Sequence, residues 1–317
     1  MLRKFAYNKI FRTSGMVILF LLLLLFPASN KYSLEGDSSI KTGSNIKKDE
    51  LFLIDKYGFI SRSKVDIESD KPEEYATKLL ELLIIGGKYE NKIPNGFKAL
   101  LPSDLKINKI KIDGDNIYAD LSSELYELEN KEFSKALELI TYNLTTLKEI
   151  KNVYITINGK KIKKEGIYIS EPFTRQDGVN KSYFISNYKN VSSTTIYYLN
   201  KNNKGYYYVP VTKINNDNRD KIKIIIDELT SSHTYETNLM SFLNYNTKLL
   251  SYEIKDDVLT LNFNEFLFDD TASKSILEEV IYSISLSVRD NYDVNEVIFV
   301  VNDKEITKSV IKNIEYF

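Results

Sequence analysis

The strongest constraint on this chain is an internal duplication. Lys106–Ser122, KINKIKIDGDNIYADLS, carries alternating apolar residues at Ile110 and Ile112, then at Ile117, Ala119 and Leu121. Asp113-Gly114-Asp115-Asn116 lies between them. Alternation with period two around a tight polar turn is a β-hairpin. About 142 residues later Leu249–Asn264, LLSYEIKDDVLTLNFN, repeats the device around Lys255-Asp256-Asp257. An amphipathic helix follows each hairpin. Phe133, Leu137, Ile140, Leu144 and Leu147 mark the first, between Asn130 and Lys148. Leu277, Val280, Ile281, Ile284 and Val288 mark the second, with Asp270 or Thr271 as its cap. Each helix leads into a short β-rich strand and turn, Val153–Gly159 and Val297–Asp303, about 144 residues apart.

The upstream parts correspond as well. Asp70 and Glu73 form a capping box with Pro72 in the first turn. Tyr75, Leu79, Leu82 and Leu83 give a helical stripe that ends at Gly86-Gly87. Ile222, Ile225, Ile226 and Leu229 give the same spacing after Asp217 or Asp220. By propensity KIKIIIDEL suits a strand equally well, and its place in the repeat decides for helix. β-rich segments precede both helices: Leu51–Ile60 in one unit, Thr194–Asn200 and Tyr206–Ile214 in the other.

The unit therefore reads strand, helix, hairpin, helix, strand. The expected fold is α/β (α+β): two tandem copies of a small sandwich, each a mixed sheet with helices on one face. A period this long means tandem domains and not a solenoid, and 317 residues suit about two domains. The expected organisation is 1–28 as signal peptide or signal anchor, 29–48 as flexible tether, 49–175 as first domain, 176–193 as linker and 194–317 as second domain.

Composition narrows the chemistry. With no Cys the chain has no disulfides, thiolate metal sites or thiol nucleophiles. One His excludes multi-histidine metal sites. A near balance of 43 Lys+Arg against 44 Asp+Glu argues against nucleic acid as a general partner. No cofactor or metal is expected.

At the N-terminus Arg3, Lys4, Lys9 and Arg12 precede an apolar run from Met16 to Ala28, with Leu19, Leu22, Leu25 and Phe26 within it. A positive segment before an apolar one directs export, with the charged end left inside. Small residues are poorly placed for cleavage, since a cut after Ala28 puts Phe26 three positions back. A retained helical anchor is the favoured reading, and a secreted protein follows if the segment is cleaved. The polar residues 29–48 then tether the rest at a root-mean-square reach of roughly 25 Å.

These residues resemble the GerM (GerMN) domain family. The resemblance rests on Ile93-Pro94-Asn95-Gly96, on Leu101-Pro102, and on Asp113-Gly114 with Ile117-Tyr118-Ala119-Asp120-Leu121-Ser122. It continues through Asn143-Leu144-Thr145-Thr146-Leu147, the strand exit Val153–Gly159 with Asn158-Gly159, and the closing Glu171-Pro172-Phe173-Thr174-Arg175. It covers about 50–175 and, in more divergent form, 194–307. There Leu261-Asn262-Phe263-Asn264 replaces the first copy's hairpin exit and the closing motif is missing. The resemblance implies a domain similar to ring-building modules, export, membrane attachment and a role in sporulation or germination, with no enzymatic activity. Lipid-anchored relatives use a Cys that this chain lacks, which shifts attachment to Met16–Ala28.

The expected role is a membrane-anchored, extracytoplasmic, non-enzymatic scaffold whose partners are other envelope or sporulation proteins. The alternative is a cell-wall glycan-binding module, with Tyr197-Tyr198 and Tyr206-Tyr207-Tyr208 stacking on sugars of peptidoglycan. A wall hydrolase using Asp113, Asp120 or Glu124 is a third. Against it, Asp113 and Asp115 are turn formers, and Asn262 stands where Asp120 would have to be an acid or base. His233 reads as a surface residue of a polar loop, and Lys160-Lys161-Ile162-Lys163-Lys164 as a solvated turn.

Overall fold

The computed structural model describes residues 49–69, 71–147, 149–231 and 238–310. The anchor segment, the tether, Asp70, Lys148 and His233 lie outside them. Residues 46–317 form one compact unit. Its described residues hold two hydrophobic cores.

The first repeat runs β1 (Asp49–Asp55), β2 (Ile60–Val65), α1 (Pro72–Leu82), β3 (Phe97–Lys98), β4 (Ile107–Asp113), β5 (Asn116–Leu121), α2 (Asn130–Leu144), β6 (Asn152–Ile157) and β7 (Lys160–Lys161). The second runs β8 (Ser182–Phe184), β9 (Ser192–Asn202), β10 (Gly205–Asn215), α3 (Lys221–Thr230), β11 (Leu249–Lys255), β12 (Val258–Phe263), α4 (Glu278–Asn291), β13 (Glu296–Val301) and β14 (Lys304–Val310). The sheets are β4-β5-β6-β7 and β11-β12-β13-β14, with β2-β1-β3 and β8-β10-β9. In each four-stranded sheet the central pair is parallel and its flanking pairs are antiparallel.

Strand alternation sets the inner faces of the two mixed sheets. Ile117, Ala119 and Leu121 face inward beside Val153, Ile155 and Ile157, and all six are buried. Leu259, Leu261 and Phe263 do the same beside Val297, Phe299 and Val301.

Several expectations change. The outer strands of the unit are hairpins: β1 pairs with β2, β9 with β10, β6 with β7 and β13 with β14. The first hairpin of each repeat lies over the helices, which are therefore covered from both sides. Helix α2 shows this by burying Leu137 and Ile140 and also Leu139, Tyr142 and Asn143. Helix α1 starts at Pro72 with Lys71 at its cap. Helix α4 starts at Glu278 with Leu277 at its cap, not Asp270 or Thr271. Asp270 accepts instead from the amide of Ala272 at 2.8 Å, and Asp270 bridges to Ser275, which closes a turn where a helix was expected. KIKIIIDEL is a helix.

Within 176–193, Val179 and the strand β8 join the second repeat. Val179 is buried, its carbonyl accepts from Thr212 N and its amide donates to Thr212 Oγ1, both at 2.9 Å, and β8 runs parallel to β10. Gly178 has φ +81, and a Cβ there would lie 2.7 Å from Thr212, so only glycine permits this approach.

Helix side chains close the free edges of the first hairpins. The Asn143 carboxamide accepts from Phe52 N at 2.9 Å and donates to Phe52 O at 2.9 Å. In the second repeat Asn291 accepts from Thr195 N at 3.2 Å and donates to Thr195 O at 2.6 Å. Tyr197 N, two residues on, donates to Ser287 Oγ at 2.9 Å. Each orphaned buried backbone group costs about 1–3 kcal/mol, against about 1.5–3 kcal/mol from burying a large apolar side chain. An open edge would cancel the burial of the strand's own residues. Replacing Asn143 by Leu should therefore lower unfolding stability by about 2–6 kcal/mol in urea titration. A loss below about 1 kcal/mol would show that the carboxamide is dispensable.

Candidate functional site

The residues shared between the repeats gather at the exits of the mixed sheets. Ser122 Oγ accepts from Lys106 N at 2.8 Å, and Ser122 N donates to Lys106 O at 3.0 Å. Asn264 does both for Lys248, at 3.0 and 3.1 Å. Asn158 N donates to Leu121 O at 2.9 Å, as Asn302 N donates to Phe263 O at 3.0 Å. Asn158 and Gly159 both have positive φ, which the tight turn requires, and so do Asn302 and Asp303.

Asp120 belongs to the same device. Its carboxylate accepts from Thr156 Oγ1 at 2.6 Å, Gly159 N at 2.7 Å and Asn108 Nδ2 at 3.1 Å. Its slight burial works to raise the pKa. The hydrogen bonds from Thr156, Gly159 and Asn108 outweigh it and hold the carboxyl below its usual value. In the second repeat Asn262 Oδ1 accepts from Asp303 N at 3.2 Å, and Asn262 Nδ2 donates to Asp303 Oδ1 at 2.7 Å. The clamp survives with its carboxylate moved to the other partner.

Asp113 does not join Asp120. Asp113 pairs with Asn116 and Asp120 with Lys109, four residues apart on β4. That is roughly 13 Å along the strand, beyond the ~5–9.5 Å of a glycosidase carboxylate pair. Gly114 has φ +61 at the hairpin turn. Among the described residues no group of three or more His, Cys, Asp or Glu converges as a metal site.

The tyrosines separate. Tyr197, Tyr198 and Tyr207 are buried, and Tyr206 is the exposed one of the two Tyr runs. In the lysine turn, Lys164 Nζ donates to the carbonyls of Tyr126 and Leu128 at 2.9 and 2.8 Å, while Lys160 and Lys161 are exposed. The anchor residues Met16, Leu19, Leu22, Leu25 and Phe26 lie outside the described residues. No helix among those described is long and apolar enough to cross a membrane.

A charged cluster at the junction of the repeats was not foreseen. Arg289 grips Glu50 with two bonds of 3.1 Å, and Arg62 Nε adds a third at 2.7 Å. Arg175 Nη1 meets Asp290 Oδ1 at 3.0 Å, and Tyr197 hydroxyl donates to Asp290 Oδ2 at 2.8 Å. Arg175 also donates to Thr145 Oγ1 at 2.9 Å and to Tyr142 O at 3.2 Å, so it ties the end of α2 to α4. Its guanidinium lies 4.8 Å from the centre of the Tyr142 ring. Burial opposes ionisation of Glu50, but Arg289, then Arg62 and Arg175, hold its carboxyl far below the usual range. Arg175 is the last residue of the closing motif, so that motif was the signal available in the sequence.

Two hairpin-wrapped sandwiches in tandem, joined by a buried ion cluster and sharing structural motifs at their strand exits, define a tandem GerMN-type protein. The family model for Germane, described as sporulation and spore germination, matches residues 50–163 and again 195–307. The chain belongs to that family. It is 36% identical over 264 residues to the spore germination protein GerM of Bacillus subtilis (strain 168), covering 80% of this chain and 71% of that protein. The solved tandem GerMN domains of the sporulation protein GerM from Bacillus subtilis match with a TM-score of 0.73 and 33% identity, over 81% of this chain and 91% of that one.

The junction carries a pH signature. Glu50 has a depressed folded-state pKa, so its stabilisation is complete above the unfolded value of about 4.3 and is lost as pH falls through the folded value. Glu50→Gln leaves Arg289 short of its partner and should cost about 3–5 kcal/mol at pH 7. The gap between wild type and variant should narrow as pH falls below about 4. A gap that stays constant from pH 7 to pH 3 in denaturant titrations would contradict the assignment.

Proposed function

We propose that this chain is a membrane-anchored, extracytoplasmic, non-enzymatic scaffold of the spore-forming envelope. Kinship to GerM supports the sporulation-related role. One observation carries the scaffold reading: the polar residues that both repeats keep are used up inside the fold. Asp120 and Asn262 clamp turns, and Ser122 and Asn264 pair with neighbouring backbone. What the two repeats offer in common is a pair of modules held in fixed orientation, with their mixed-sheet edges and outer faces turned to partners. Two modules on one rigid body raise the effective concentration of the second contact once the first forms. The Met16–Ala28 run would hold this body at the outer surface of the membrane.

Fluorescence imaging of a fusion protein through sporulation tests the reading. Enrichment at the membranes around the developing spore is expected, together with reduced yield or germination of spores on deletion. Uniform signal in vegetative cells with no spore defect would sink it. Retention on purified peptidoglycan that disappears on Tyr206→Ala would put the glycan-binding reading in its place.

A further inference from the structure

The two repeats differ in how one end of the core is covered. In the first, the chain beyond β7 folds over the start of α2. Ile162 is buried, Lys163 N donates to the Tyr126 hydroxyl at 3.1 Å, and Asn130 Nδ2 donates to Glu165 O at 3.1 Å. The Lys164 ammonium caps the carbonyls of Tyr126 and Leu128 and lies 4.9 Å from the centre of the Phe133 ring. Phe133 in turn stacks on Tyr126 at 5.8 Å, and Ile167 and Ile169 pack against the core. Leu83 O accepts from Leu100 N and Leu101 N at 3.1 and 2.8 Å, which closes the neighbouring gap beyond α1.

The second repeat keeps two apolar positions of the receiving surface, although its helix α4 starts later, at Glu278. At the repeat offsets Phe268 stands for Tyr126 and Leu277 for Phe133. As far as Val310, the end of the described residues, the chain beyond its last turn runs as β14 along β13. Among the described residues, no backbone bond ties Leu229 to Phe242 or Leu243. A cleft of about 520 Å³ remains, floored by Leu229, Leu243 and Leu277. At its rim Phe266 is 43% exposed and Tyr245 79% exposed. Asp269 also lines it, within a stretch carrying Glu265, Asp269, Asp270, Glu278 and Glu279 against Lys274 alone.

We propose that this cleft binds a short extended peptide of a partner protein, with a lysine set among aliphatic residues. That is the chemistry with which Ile162–Ile169 fills the matching place in the first repeat. The acidic rim complements the lysine, with Asp269 and the Phe268 carbonyl as its partners, and the apolar floor takes the flanking side chains. The inference deepens the scaffold reading by naming a surface. It is tested on purified protein, so either can fail while the other stands.

The probe is a fluorescein-labelled peptide of Lys160–Ile169, KKIKKEGIYI, titrated with the full chain and read by anisotropy. Saturable binding tighter than about 1 mM is expected. Asp269→Lys in the protein and Lys164→Glu in the peptide should each weaken it at least about tenfold. Phe266→Ser, at an already exposed rim position, should weaken it several-fold with an unchanged circular dichroism spectrum. No saturation by about 1 mM, or equal binding by a folded Asp269→Lys protein, overturns the proposal. Binding of the Lys164→Glu peptide as tight as that of the parent would do the same.

Discussion

An edge strand must find partners for a row of N–H and C=O groups, and in this protein the helices supply them from their side chains. Asn143 and Asn291 each offer a carboxamide that imitates a neighbouring strand, accepting from one residue's amide and donating to the same residue's carbonyl. Asn180 repeats the arrangement at Ile60, with bonds of 2.9 and 2.8 Å, and adds a third to Pro210 O. The geometry leaves the hairpins little freedom to slide on the helices, because a shift of one residue would leave both groups unsatisfied. The hydrophobic layers decide that the elements pack, and the asparagines decide their register.

The junction applies the same logic with charge. Glu50 and Asp290 are two anions held among three guanidiniums, those of Arg62, Arg175 and Arg289. Taking such groups out of water is costly, and only dense mutual pairing offsets it. The arrangement therefore tolerates one relative placement of the repeats and penalises others. The first core also takes in Tyr197 and Leu286 of the second repeat, so apolar packing crosses the junction with the ions. Asn180 reaches across as well, from β2 to β10. Within 176–193, Val179 and β8 take part in the packing.

Much of the fold was legible because it is written twice. The hairpin turns, the helix stripes of α2 and α4 and the assignment of KIKIIIDEL as a helix all followed from comparing one copy with the other. The outer hairpins were less visible. Leu51–Ile60 spans a strand, a turn and the start of the next, and its apolar content hides the break at Lys56–Gly58. The cap of α4 was misplaced because Asp270 suits a turn as well as a helix start, and propensity does not separate the two. At the site, the replacement of Asp120 by Asn262 could be read from the sequence. The exchange with Asp303 needed the fold, which brings residues 41 apart within a hydrogen bond. The ion cluster was marked in the sequence at Arg175 alone: its five charged members are scattered from Glu50 to Asp290, and nothing in local spacing links them.

The asparagine clamps differ between the repeats in one respect. Asn143 grips Phe52, whereas the residue at its place in α4 is Ser287, and the matching asparagine, Asn291, lies one helical turn further on and grips Thr195. A protein built from two similar modules risks mispairing as it folds, with the hairpin of one docking on the helices of the other. The shifted asparagine gives each hairpin its own key. A hairpin seated on the wrong helix pair meets a carboxamide one turn out of place, and strand exchange between the modules, or between two copies of the chain, is disfavoured from the first contact.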